Sequence, residues 1–354
     1  MNKTEIKQSL LVGAVLFGSI VGAGFASGKE VWFYFAQFGW VCFPLIALAG
    51  VLLFVLGFVF LEFGKRYGIE TVQQLNNKIF GKFGIIGEII FIFSNFILLS
   101  AMFAGANSLF DIVLSQDLYR FASVFTAIIA VIISWLGFEK IIKFNLAIVP
   151  AMVLIIAVAF NYCIFHTEGF LVPIVNGGAT VLSAIFFCIL YVCSNLFFAG
   201  FIFARLGTKH SSKINLVGSL VGASFMVLCL LGMVISIYLN PYSSMSDMPL
   251  VYITSSISHS FGIFTLIVVW VGIVTTAVSL VYTISIWLEK YTQNFKLCSI
   301  AVCIICLIIS GLGFGAIVSY CYPILGIFGI LFISQMVILE RKNKRNFRRK
   351  INEK

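Results

Sequence analysis

Residues 18–28 read GSIVGAGFASG and lie inside an apolar run that is long enough to cross a lipid bilayer. Four of these eleven residues are glycine and two are serine, and each glycine weakens a helix by about 1 kcal/mol relative to alanine. Lipid offers no partner to unpaired N–H and C=O groups, so a broken membrane helix is tolerated only inside protein or beside a water-filled cavity. The stretch therefore predicts a place where the backbone meets a ligand.

The composition predicts an all-α integral membrane protein. Of the 354 residues, 61% are hydrophobic and 10% are charged, and apolar runs of about 20 residues recur along the chain. The formal net charge of +10 does not indicate nucleic-acid binding, because +7 of it lies in the tail at 341–354. We expect this basic tail to lie in the cytoplasm and to attract anionic lipid headgroups.

Ten membrane spans are predicted within one transmembrane domain. They cover residues 9–38, 41–62, 84–110, 119–137, 140–162, 178–204, 213–239, 262–289, 296–313 and 317–340. Spans one to five form a first half (about 9–162), and spans six to ten form a second half (about 178–340). Because span one runs outward and span six runs inward, the two halves fit a 5+5 inverted repeat.

The basic residues support this count. Alternate connections, starting from the N-terminus, contain 21 of the 23 lysines and arginines. The opposite connections contain Arg120, and Lys29 lies inside span one. Positive charge marks cytoplasmic loops, so both termini are predicted to be cytoplasmic and the number of spans to be even.

A second polar interruption lies in span six, where residues 191–195 read YVCSN. Interruptions at corresponding positions of two halves indicate the binding site of a transporter. We therefore predict that helices 1 and 6 are both discontinuous. Between spans, residues 70–83 are predicted to form a short surface helix, and the outer loop at 240–260 is predicted to form a partial lid.

The segment GSIVGAGFASGKE at 18–30 resembles the signature of the YkvI-like bacterial membrane proteins, in which a similar GAGFASG(Q/K)E segment opens the chain. That family is related to the amino acid–polyamine–organocation superfamily, whose members share the LeuT-type 5+5 fold. The resemblance covers the whole chain in length, span count and orientation. It implies a transporter in a bacterial cell membrane and does not name the cargo.

The resemblance also implies two sites. In the superfamily, span one unwinds at a motif like Gly22-Ala23-Gly24, and its free amides face a substrate carboxylate. The residues implied to bind substrate are Gly22, Ala23, Gly24, Phe25 and Ser27 in span one, Ser94, Asn95 and Ser100 in span three, and Tyr191, Ser194 and Asn195 in span six. A Na⁺ site is implied by the carbonyls of Gly18 and Val21 in span one and Gly272 in span eight, with the hydroxyls of Thr275 and Thr276.

Each of these assignments has a structural alternative. The glycines also fit small-xxx-small helix packing. Threonine hydroxyls in membrane helices commonly bond back to their own helix, and Ser279 or Thr283 would suit a shifted register. Lys29 and Glu30 are intramembrane charges, for which a structural or gating role is favoured over direct contact with substrate.

The sequence thus predicts a secondary active transporter, a symporter that moves a small solute, such as an amino acid or related carboxylate, by alternating access. Coupling to Na⁺ is favoured, and coupling to H⁺ through Lys143 or Glu88 stays open. The alternative is a sensor subunit without transport activity, similar to spore germinant receptors. No enzyme activity, cofactor or metal beyond the coupling cation is expected, because no catalytic constellation of side chains is present.

Overall fold

The computed structural model describes residues 1–112, 121–136, 139–166 and 180–352, and the side chains of 23, 139–148 and 343–352 lie outside that description. The described chain is helical, and no β-strand occurs in it. The helices are α1 (Lys3–Ile20), α2 (Ala23–Ser27), α3 (Lys29–Tyr34), α4 (Cys42–Tyr67), α5 (Val72–Phe80), α6 (Gly84–Phe110), α7 (Phe121–Trp135), α8 (Glu139–His166), α9 (Val181–Gly207), α10 (Ser212–Leu239), α11 (Pro249–Ile257), α12 (His259–Thr292), α13 (Phe295–Ser310), α14 (Phe314–Ala316) and α15 (Tyr322–Asn352).

Seven helical segments of the described chain are long and apolar enough to cross a membrane. They are Ala36–Tyr67, Val72–Phe110, Val149–His166, Val181–Gly207, Ser212–Leu239, His259–Thr292 and Phe314–Lys342. Two of the other predicted spans correspond to the shorter apolar helices α7 and α13, and the remaining one is broken into α1, α2 and α3. Arg120, the loop at 167–177 and the side chains of Lys140 and Lys143 lie outside the described residues.

The predicted break in the first span is confirmed. α1 ends at Ile20, and the Gly22 amide donates to the carbonyl of Ile20 at 2.8 Å in place of the regular bond to Gly18. A second interruption separates α2 from α3 at Gly28, whose φ of 84° lies in the left-handed region that favours glycine. The glycines of this stretch thus permit a span made of one long and two short helices.

The predicted discontinuity of span six is wrong, because α9 runs without a break through 191–195. Its polar side chains bond to their own helix. The Ser194 hydroxyl and the Asn195 amide both donate to the carbonyl of Tyr191, at 3.0 and 2.8 Å. Such bonds satisfy polar groups inside a regular helix, so polarity alone did not break it.

The helices pack in two groups. In the first group α1 and α4 each pack against both α9 and α10, and in the second group α6, α7, α12 and α13 all contact one another. The broken first span lies where the groups meet, since α2 packs against α6 and α12 while α3 packs against α9 and α10. This position places the break between two bodies of the fold.

Glycines allow the closest helix approach inside the first group. A Cβ atom at Gly64 of α4 would overlap the backbone of Ala204, and one at Gly207 of α9 would overlap the backbone of Leu61. Glycines at such crossings let two membrane helices pack backbone to backbone. α4 and α9 therefore behave as one tightly packed pair.

The two predicted surface elements also form helices. α5 follows a capping box in which Thr71 and Gln74 satisfy each other's amides. The outer loop folds into a 3₁₀ turn at Pro241–Met245 and helix α11, which packs against α2, α8 and α12. A Cβ at Gly28 would lie only 3.0 Å from the Pro249 Cβ, so α11 lies directly on the break.

Candidate functional site

The break in the first span leaves backbone donors unused. The first backbone hydrogen bond of α2 runs from the Ala26 amide to the carbonyl of Gly22 at 3.0 Å. The amides of Gly24 and Phe25 therefore have no partner among the described backbone carbonyls, as expected for the first residues of a helix. The predicted substrate-facing stretch thus presents free N–H groups inside the protein.

Glu30 folds its side chain back onto this break. Its carboxylate oxygen Oε1 lies against Gly24, in the space that a Cβ at that position would occupy. The residue is 8% exposed. Within the described part of the chain, no basic side chain forms an ion pair with it. A carboxylate without a basic partner is therefore buried at the centre of the interrupted helix.

Three buried tyrosines lie on α3, which is the helix of Glu30, on a helix that packs against α3, or directly after a turn that packs against it, and each comes from a different helix. Tyr34 belongs to α3, Tyr191 to α9 and Tyr322 to the start of α15. The ring centroids of Tyr34 and Tyr191 are 5.4 Å apart, and the turn at Ile317–Cys321, directly before Tyr322, packs against α3. Their hydroxyls are buried and have no hydrogen-bond partner among the described residues. We call Glu30 and these three residues the acid–tyrosine cluster.

The sequence prediction included only part of this cluster. Tyr191 was expected to bind substrate and Glu30 to act as a gate, whereas Tyr34 and Tyr322 were missed. Tyr34 follows Glu30 by four residues, the spacing of neighbours on one helix face, so that signal was present. Tyr322 follows a π-helical turn at Ile317–Cys321, a distortion that is frequent at functional sites but has no clear mark in the sequence.

The predicted substrate-binding serines use their hydroxyls locally. The Ser27 hydroxyl donates to Gly24 O at 2.7 Å and accepts from the Lys29 amide at 3.1 Å. The Ser94 hydroxyl donates to Ile90 O at 2.8 Å, and its neighbour Asn95 is buried in α6. These bonds shape the helices around the break and leave acceptor capacity on the serine oxygens.

Among the predicted cation ligands, Gly18 lies on α1 and Val21 directly follows that helix, whereas Gly272, Thr275 and Thr276 lie on α12, which packs against the neighbouring helix α2. The hydroxyls of Thr275 and Thr276 both donate to the carbonyl of Gly272, at 3.0 and 2.9 Å. This back-bonding consumes the protons and leaves the hydroxyl oxygens free to accept a cation. The Gly22 amide turns to Ile20 O, which also leaves Gly18 O without its regular helical partner.

Lys29 connects the outer half of the broken span to the lid. Its Nζ atom lies 3.1 Å from Asp247 Oδ1 and donates to the carbonyl of Ser246, also at 3.1 Å. Ser108 of α6 donates to the other carboxylate oxygen of Asp247 at 3.2 Å. The predicted gating residue thus joins α3, the segment before α11 and, through Asp247, α6, whereas the adjacent Glu30 turns toward Gly24.

The amino-acid sequence of the chain is similar to that of a bacterial membrane protein. It is 27% identical over 346 residues to the uncharacterized membrane protein YkvI of Bacillus subtilis (strain 168), covering 94% of this chain and 96% of that protein. The resemblance to YkvI-like membrane proteins is thereby confirmed. No family model matches the chain.

Solved structures with a similar fold are transporters. MhsT in complex with L-phenylalanine matches with a TM-score of 0.64 at 17% identity, over 93% of this chain and 87% of that one. The manganese transporter of Eremococcus coleocola gives 0.58 at 14% identity, over 95% and 78%. Mhp1, a nucleobase-cation-symport-1 family transporter, gives 0.55 at 16% identity, over 93% and 75%. At these identities the likeness shows the LeuT-type fold.

Proposed function

We propose that the protein is a secondary active transporter that moves a small solute across a bacterial cell membrane by alternating access, coupled to a cation gradient. The observation that carries this function is the broken first span. Free amides and buried hydroxyls without described partners meet there, at the junction of two helix groups. Movement of one group against the other would expose this junction to each side of the membrane in turn.

The proposed architecture has ten spans in two inverted halves of five, with both termini in the cytoplasm. Support for this number comes from the seven long apolar segments, counted together with the two shorter apolar helices and the broken first span. The basic residues of alternate connections support the orientation, and the tail after Glu340 would contact anionic lipids.

The proposed cargo is an amino acid or related small solute, and the favoured coupling ion is Na⁺. Free amides at the break suit a polar ligand, and the solved structure of MhsT holds L-phenylalanine. The hydroxyl oxygens of Thr275 and Thr276 are neutral ligands of the kind that a hard cation prefers, and backbone carbonyls of span one would complete the site. H⁺ coupling is the alternative, although Glu88 pairs with Lys290 at 3.4 Å.

Transport is tested directly with purified protein in liposomes. An inwardly directed Na⁺ gradient is expected to drive accumulation of at least one member of a panel of radiolabelled amino acids, and protein-free liposomes are the control. Absence of gradient-driven uptake across the panel would contradict the amino-acid version of the function. Binding without uptake in the same preparation would favour the sensor alternative.

Replacing Thr276 with valine is expected to weaken Na⁺ dependence, because valine keeps the shape and removes one oxygen ligand. The Na⁺ concentration for half-maximal uptake should rise by about tenfold, the factor that corresponds to 1.4 kcal/mol. Thr283→Val on the same helix is the matched control, since its hydroxyl also bonds back, to Ser279 O at 2.8 Å. An unchanged Na⁺ dependence in Thr276→Val, or a loss confined to Thr283→Val, would show that the assignment is wrong.

Replacing Lys29 with methionine is expected to loosen the outer closure, because it removes the bonds to Asp247 and Ser246. Phe25 is 1% exposed beneath the lid, so the substitution Phe25→Cys reports on opening. In the Lys29→Met background this cysteine should react about fivefold faster with an impermeant thiol reagent added outside than in the Lys29 background. A loss of about 1 kcal/mol in the stabilisation of the closed state corresponds to that factor. Lys290→Met removes a cytoplasmic ion pair instead and should leave this rate unchanged. Equal rates in the two variants would argue against a gating role for Lys29.

A further inference from the structure

We propose that the acid–tyrosine cluster binds the ammonium group of the transported solute. Substrates are then amino acids or amines, and carboxylates that lack an amino group are excluded. This assignment rests on the transport function proposed above and names the chemical group that one part of the site takes. It also changes the role of Glu30 from a gate to a ligand-binding residue.

The first argument concerns charge. An ionised carboxylate buried away from water is costly unless a cation pairs with it. The adjacent Lys29 points to Asp247, and the other described ion pairs, Arg66–Glu340 and Lys290–Glu88, use different acids. Within the described chain Glu30 therefore has no basic side chain to offset its charge, and a cationic ligand would provide that offset.

The second argument concerns hydrogen bonds. A primary ammonium has three N–H donors and no acceptor. The cluster provides the Glu30 carboxylate and three phenolic oxygens, and these hydroxyls have no described partner although their residues are 5% exposed or less. Buried polar groups are normally bonded, so three such hydroxyls around one acid indicate a ligand that bonds to them.

The third argument concerns the aromatic rings themselves. The ring centroids of Tyr34 and Tyr191 are 5.4 Å apart, and Phe35 lies edge-on to Tyr191 at 5.0 Å. Ring faces attract organic cations and give no comparable attraction to carboxylates. An acid within an aromatic cluster is thus suited to an ammonium group attached to an organic body.

Other ligands fit this geometry less well. A solute carboxylate at Gly24 would lie beside the Glu30 carboxylate, and like charges at such a distance repel. A proton on Glu30 would neutralise the charge and supply one donor, leaving most of the tyrosine oxygens unbonded. Alkali ions bind neutral hydroxyl and carbonyl oxygens, which the Thr275–Thr276 site and span one offer elsewhere. The ammonium end of a zwitterion is therefore the end that faces Glu30 and the three tyrosines.

The test compares matched compounds that differ only in their charged groups. Three series are used: alanine, ethylamine and propanoate; leucine, 3-methylbutylamine and 4-methylpentanoate; phenylalanine, 2-phenylethylamine and 3-phenylpropanoate. Binding to the purified full-length protein is measured as a rise in melting temperature with concentration, because ligands that bind the native state stabilise it. In at least one series, the amino acid and the amine should both bind, and the carboxylate should bind at least about tenfold more weakly.

Variants then connect this preference to the cluster. Glu30→Gln should weaken binding of the ammonium-bearing compounds by at least about tenfold, and Tyr34→Phe, Tyr191→Phe and Tyr322→Phe by about threefold to tenfold each. Two controls alter similar groups elsewhere. Glu88→Gln changes another buried acid, and Tyr238→Phe removes a buried hydroxyl that is bonded to the carbonyls of Ala36 and Gly39. Both controls should keep the preference for ammonium.

Three results would overturn the assignment. They are equal binding of carboxylates and amines, unchanged binding in Glu30→Gln, and no binding of any ammonium-bearing compound at about 10 mM. That concentration would reveal a ligand with a dissociation constant of about 1 mM. If Glu30→Gln does not fold, the three Tyr→Phe variants decide, because they preserve ring packing. Loss of only Na⁺ or pH-gradient dependence in Glu30→Gln, with binding intact, would assign the acid to the coupling ion. Binding without uptake would contradict the transport function and would still support the ammonium site. Uptake that does not depend on an amino group would support transport and contradict the ammonium site.

Discussion

Replacing Gly24 with alanine is expected to reduce binding and uptake of ammonium-bearing solutes by at least about tenfold while the protein stays folded. The added methyl group would occupy the space of the Glu30 carboxylate oxygen. That oxygen is the end of a flexible side chain, so Glu30 moves and the helix does not have to. Alanine also suits α2 better than glycine, which keeps the stability cost small.

A second substitution tests this explanation. Glu30→Asp shortens the acid by one methylene group and makes room for the methyl group that Gly24→Ala adds. The double variant Gly24→Ala, Glu30→Asp should therefore bind ammonium-bearing solutes more tightly than the summed losses in binding free energy of the two single variants predict. Such coupling is expected only between groups in contact. At Gly22 a Cβ would meet no atom within 4 Å, so Gly22→Ala should leave the melting temperature unchanged. Normal uptake by Gly24→Ala, or strict additivity in the double variant, would contradict the steric coupling of Gly24 and Glu30.

The sequence predicted the features that depend on local composition. Long apolar runs indicated the membrane helices, since lipid requires about 20 apolar residues for each span. Four glycines within eleven residues indicated the break in the first span, and the structure places non-helical backbone at Val21 and Gly22 and a left-handed residue at Gly28. These are properties of neighbouring residues, so one sequence was enough to predict them.

Features that depend on distant partners were not predictable in the same way. Polar residues at 191–195 indicated a second break, but the carbonyl of Tyr191 accepts bonds from Ser194 and Asn195 and the helix continues. Asp247 becomes the partner of Lys29 only after the outer loop has folded against the break. The turn directly before Tyr322 packs against α3, the helix of Glu30, from the far end of the chain. The periodicity and composition of a sequence carry no information about such contacts between residues that are far apart in the chain.

Replacing Gly64 with alanine is expected to lower the free energy of unfolding by about 1–3 kcal/mol, the usual cost of overpacking a close contact. The new methyl would overlap the backbone of Ala204, which cannot rotate away as a side chain can. α4 and α9 would have to separate, although Gly207 and Leu61 hold the same crossing from the other side. The melting temperature in detergent and the yield of monodisperse protein measure this effect.

Gly57 provides the matched control on the same helix. A Cβ at Gly57 would lie 3.6 Å from Leu16 Cδ2, an ordinary contact, so Gly57→Ala should be neutral or stabilise the protein by up to about 1 kcal/mol through helix propensity. Gly207→Ala should behave like Gly64→Ala. Because both glycines serve one crossing, the double variant should cost less than the sum of the single variants. Equal melting temperatures for Gly57→Ala and Gly64→Ala would mean that α4 and α9 do not meet backbone to backbone. The first helix group would then be less rigid than alternating access by a rocking motion of two bodies requires.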